Sequence, residues 1–146
     1  MKILLLSAIA MTAGVGIPIM AAINAGLGSK IGNPVFATVI LLFVGFIIAG
    51  IYLLIQGVPA LPKTIPSPVS FTGGFFVVFY ILSVTTIAPK IGLGNTIFLV
   101  LLGQILSTTF IDHFALFGAM KSQITWQRIA GIVLMISGIY LARRVG

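Results

Sequence analysis

The sequence predicts an all-α integral membrane protein with five transmembrane helices. Composition is the first reason: 60% of the 146 residues are hydrophobic and 6% are charged, with a mean hydropathy of +1.28. A water-soluble domain of this length has too little interior to hide that much apolar surface. The second reason is the spacing of charge. The runs from Lys2 to Lys30, Lys30 to Lys63, Lys63 to Lys90 and Lys90 to Asp112 are uncharged, and each exceeds the roughly 20 residues that cross a bilayer core. The third is turn chemistry, because "GLGSKIGNP" (26–34), "GVPALPKTIPSP" (57–68) and "APKIGLGN" (88–95) are rich in helix breakers.

These boundaries place helices at about 3–25, 34–56, 69–88, 95–114 and 124–142, forming a single domain over 1–146. The N-terminal "MKILLLSAIAMTAG" has the basic start and small residues of a signal peptide. Its uncharged run continues to Ser29, longer than a signal core, so it reads as a retained first helix. Pro18, four residues after Gly14, should kink or open that helix. Asn24, before Gly26 and Gly28, suits helix capping, and its alternative is a hydrogen bond to a substrate. The four-proline stretch before the third helix should be a stiff, extended surface segment. Tyr80 and Ser83 on the third helix can point polar groups into a cavity, whereas Tyr52 and Tyr140 lie near helix ends as interfacial anchors. The fifth helix is the shortest span, with Arg128 able to snorkel and Trp126 suited to the same interface.

The fourth helix carries the densest polar signal. Gln104, Thr108 and Asp112 recur every four positions with Ser107 beside them, one polar stripe on an apolar helix. Asp112 is the only acidic residue in the chain and His113 the only histidine. Two readings follow. In one, Asp112 titrates in a vestibule with His113 as a proton relay. In the other, Asp112 pairs with Lys121 or Arg128, or accepts backbone hydrogen bonds at a helix break. Asp112 sits about 17 residues into its helix, roughly 26 Å along it, which places it near an interface and favours the structural reading.

Five crossings put Lys2, Lys63, Lys121 and Arg128 on one side and Lys30, Lys90, Arg143 and Arg144 on the other. Orientation follows the excess of Lys and Arg in cytoplasmic loops, so an even split favours neither direction. A chain inserting both ways forms an antiparallel homodimer, which reproduces the inverted-repeat plan of many transporters. Short loops also give small counts, and chance balance is the competing explanation. Within the chain, "KIGNPVFATVILLFVG" (30–45) is similar to "KIGLGNTIFLVLLG" (90–103), a weak helix-hairpin repeat. Gly131, Gly138 and Ala142 share one face of the fifth helix, a small-residue surface suited to close helix packing, including across a dimer.

The stretches "INAGLGSKIGNPVFATVILLFVG" (23–45), "APKIGLGNTIF" (88–98) and especially "GQILSTTFIDHFALFG" (103–118) resemble the YdcZ type of small inner-membrane protein in the drug/metabolite transporter superfamily. The resemblance covers almost the whole chain. It implies a bacterial cytoplasmic (inner) membrane location and export of small metabolites. It also implies a five-helix unit equal to half of the superfamily's ten-helix members, so that an antiparallel pair forms a ten-helix bundle. The sequence departs from the family pattern at Met20, where a glutamine is expected, and at Ala115, where glycine is commoner.

Several functions are excluded on content. The chain has one Asp, one His, no Glu and no Cys, so paired-carboxylate, zinc and thiol chemistry cannot be assembled within it. Adjacent Asp112 and His113 diverge by about 100° on a helix, which is unsuited to a Ser–His–Asp relay. "GLGSKIG" lacks P-loop spacing, and no cofactor or metal motif is present. The net charge of +7 comes from scattered cations, not the basic face that nucleic acid requires. The expected partners are membrane lipid, a second copy and a small-molecule substrate. Two functional classes follow: a secondary transporter, with Asn24, Tyr80, Ser83, Gln104, Ser107 and Thr108 as substrate-binding candidates, and a non-transporting scaffold or partner subunit. With its sole acid near an interface, the transporter's substrate is expected to be neutral, anionic or zwitterionic.

Overall fold

A computed structural model of the chain describes residues 2–60, 64 and 66–143. Its elements are α1 (Lys2–Ile31), α2 (Pro34–Gln56), a 3-10 turn (Pro68–Phe71), α3 (Gly73–Ile91), α4 (Leu93–Phe114), a 3-10 turn (Leu116–Gly118) and α5 (Trp126–Arg143). No strand occurs among the described residues. Among the described residues four helices, α1 to α4, are long and apolar enough to cross a membrane, while the apolar part of α5, Trp126–Ala142, is shorter. Part of the proline segment, residues 61–63 and 65, lies outside the described residues, as does Arg144 of the charge tally.

The helix ends correct two expectations. α1 runs to Ile31, six residues past the expected end, and α3 runs through Pro89 to Ile91. Gly26, Gly28 and Pro89 are breakers in water, but an apolar solvent offers no alternative hydrogen-bond partner to the backbone, so the helix persists through them. Pro18 likewise lies inside α1, with helix on both sides, and does not open it. What ends each helix is a glycine at positive φ, Gly32 (74°) after α1 and Gly92 (86°) after α3. These are the third residues of the two "KIG" repeats, and both sit where an L side chain would be strained.

The α1–α2 turn is closed from both sides. The Asn33 amide donates to the Gly28 carbonyl at 3.0 Å, the six-to-one bond of a Schellman end. The Asn33 side chain then accepts from the Phe36 amide at 3.0 Å. Pro34, at the first helical position, has no amide hydrogen to satisfy, and the Ala37 amide donates to the Asn33 carbonyl at 3.2 Å.

Two compact units result, Met1–Leu93 and Gly94–Gly146. In the first, α1, α2 and α3 pack against one another. Packing is confined to one end. Ala21, Asn24, Ala25, Gly28, Ala37, Thr38, Ile81, Val84, Thr85 and Ala88 are buried, whereas residues 3–17, 43–49 and 73–79 are exposed throughout. The three helices therefore meet around the Gly32 turn and are unpacked toward the other end. Small side chains allow the approach: a Cβ on Gly28 would lie 3.2 Å from the Pro34 Cα and 3.2 Å from the Thr85 methyl. Buried threonines stay neutral by donating to their own helix, Thr38 to the Pro34 carbonyl at 2.9 Å and Thr85 to the Ile81 carbonyl at 2.7 Å.

Candidate functional site

In the first unit the polar groups gather on the facing sides of α1 and α3. Asn24 is 2% exposed, and its amide donates to the Thr85 hydroxyl at 2.7 Å. The capping role expected for Asn24 is overturned, because α1 continues to Ile31. Asn24 instead joins two helices across a buried contact, the kind of polar pairing that holds membrane helices where hydrophobic drive is absent.

Tyr80 lies on the same buried stripe of α3 as Val84 and Ala88, at the point where packing gives way to the exposed N-terminal half. It is also the centre of the 24-residue span Pro68–Ile91. Its hydroxyl is buried and has no hydrogen-bond partner among the described residues. Such a group in an apolar interior costs stability unless a ligand or water meets it. Ser83, partly buried, follows one turn later on α3. Nearer the packed end, a cleft of about 300 Å³ opens between α1 and α3, lined by Ala22, Ala25, Gly26, Ser29, Ala88, Pro89 and Leu93. A second, of about 370 Å³, runs along Ala22, Ile23, Gly26, Leu27 and Lys30.

The second unit holds the α4 candidates. Gln104, Ser107 and Thr108 are exposed, and Thr108 directs its hydroxyl to the Ile105 carbonyl at 3.1 Å. Asp112 forms an ion pair with Arg128, Oδ2 to Nη2 at 3.0 Å, with side chains about one third exposed. Its carbonyl accepts from the Ser122 amide at 2.9 Å and the Ala115 amide at 3.3 Å. His113 accepts at Nδ1 from the Ile124 amide at 3.3 Å and meets the Phe114 ring edge-on. Thr125 caps α5, accepting from the Arg128 amide at 3.3 Å. Asp112 and His113 thus fasten the 115–125 segment to the end of α4, and Asp112 ties it to the first turn of α5.

This reversal carries strain at Ala115 (φ 51°) and Phe117 (φ 56°), left-handed positions that cost L residues about 1–2 kcal/mol each. At Gly131 and Gly138 an added Cβ would meet no atom of the described residues of its own unit within 4 Å. Sequence reading missed Gly28 and Thr85. The signal for Gly28 was its place in "GLGS", taken for a breaker although the same small side chain permits close helix approach.

Helices able to span a bilayer, buried threonines that donate to their own helix, and charged residues kept to helix ends and connecting segments among the described residues define a multi-pass membrane protein. The family model described as "Putative inner membrane exporter, YdcZ" matches residues 5–141, and the chain belongs to that family. It is accordingly a multi-pass protein of the inner membrane. Neither the curated proteins nor the solved structures contain a match.

Proposed function

We propose that the protein is a secondary transporter that exports a small metabolite by alternating access, working as an antiparallel homodimer of dual topology. One observation carries the reading: the Tyr80 hydroxyl is buried without a partner among the described residues, at the centre of a helix long and apolar enough to cross a membrane, beside the unpacked ends of α1, α2 and α3. A polar group kept unsatisfied at that depth suits a ligand that arrives and leaves. A second copy inserted the opposite way would set its own helices against these unpacked ends, and the even division of flanking cations supports both insertions. The Gly131–Gly138–Ala142 face of α5 offers a close-packing surface for that assembly. The reading assigns the chain no enzymatic step.

The test is exchange in proteoliposomes loaded with a water-soluble bacterial metabolite extract, with the external medium read by mass spectrometry. Wild-type protein should release a subset of compounds saturably. Tyr80→Phe should lower that release roughly tenfold or more, because a transport site that hydrogen-bonds its ligand loses the contact, while leaving thermal stability equal or higher. Wild-type release through Tyr80→Phe would refute the assignment of the site.

A further inference from the structure

We infer that the exported compounds carry no net positive charge, and that permanent organic cations are excluded from the pathway. The inference rests on the transport reading and names the substrate class of that site.

A cation entering a low-dielectric passage loses its hydration and requires an anionic partner there. The chain has one acidic side chain against eight Lys and Arg. That acid, Asp112, is third from the end of α4 and is already neutralised by Arg128 at 3.0 Å. The pairing is local to one chain, so a second copy brings a second neutralised pair and no free carboxylate. Releasing Asp112 to a substrate would leave the Arg128 guanidinium unpaired in the first turn of α5, and the swap gains nothing for a cation.

The polar groups of the first unit favour the opposite class. The Tyr80 hydroxyl is both donor and acceptor and suits an uncharged polar group or an anion. Among the described residues, Lys30 lines the second of the two clefts of the first unit. Lys30 and Lys90 stand in the last turns of α1 and α3, which the Asn24–Thr85 contact and shared packed end place at the same end of that unit. The net charge of +7 repels cations at the mouth and concentrates anions.

The experiment adds tetraphenylphosphonium to the metabolite extract in the same proteoliposomes and sorts every saturably released compound by its charge at pH 7. The inference expects released compounds to be uncharged, zwitterionic or anionic, with tetraphenylphosphonium moving no faster than through protein-free vesicles. Saturable movement of tetraphenylphosphonium, or of any natural quaternary amine, overturns it while leaving the transporter reading intact, and would point to cation recognition by aromatic faces. Release of nothing at all refutes transport itself, and the inference with it.

Discussion

The Asp112 carboxylate and the Arg128 guanidinium meet at 3.0 Å, joining the last turn of α4 to the first turn of α5. The pair is partly exposed, so solvent screening limits its contribution, yet it anchors a reversal that also depends on Asp112 through its backbone carbonyl. As a clamp it should be measurable by a double-mutant cycle. Asp112→Asn and Arg128→Gln are expected to couple by about 1 kcal/mol in thermal unfolding. Asp112→Asn should retain pH-dependent flux. A folded Asp112→Asn protein whose flux no longer responds to pH would show that the carboxylate carries protons.

Ala115 stands in the left-handed region at φ 51°, ψ 40°. Glycine has no Cβ to clash there, and the resemblance drawn from the sequence places glycine at this position more often than alanine. Ala115→Gly should therefore stabilise the protein by about 1 kcal/mol. Ala119→Gly, at an extended residue with φ −65°, should be neutral or destabilising, because it only adds freedom to the unfolded chain. Equal responses at the two sites would contradict the strain argument.

The Asn24–Thr85 hydrogen bond is the buried polar tie between α1 and α3. Thr85→Val removes the acceptor while keeping the shape, and should cost about 1–2 kcal/mol, because the Asn24 amide is left without it. Thr85→Ser keeps the hydroxyl and should cost less. If unfolding in detergent ranks serine no better than valine, the hydroxyl is not what joins these helices.

Much of this architecture was readable from the chain. Length and hydropathy located every apolar segment, since a bilayer demands long apolar helices whatever their neighbours. The Asp112–Arg128 pair was also within reach, because the one acid has only Lys121 and Arg128 as cations close after it in the chain. Helix ends were less legible. Gly26, Gly28 and Pro89 read as breakers by composition, but the local preference yields where backbone groups have no water to turn to. The fate of Asn24 followed from that error: with α1 continuing to Ile31, the residue became a cross-helix donor. The unsatisfied Tyr80 hydroxyl depends on which stripe of α3 is packed and how deep it lies, and neither is encoded in the residues adjacent to it.

The central claim is that copies of this chain insert in both directions and together complete a pathway around Tyr80. The absence of cysteine makes a direct measurement possible. Met120, 90% exposed in the segment between α4 and α5, can be replaced by cysteine without altering the balance of flanking charge. Intact cells are treated with a membrane-impermeant maleimide before and after permeabilisation. The account predicts that about half of the Met120→Cys protein reacts from outside, as an even charge division requires, and that the remainder reacts only once the membrane is opened. Labelling of essentially all molecules from a single side would contradict it.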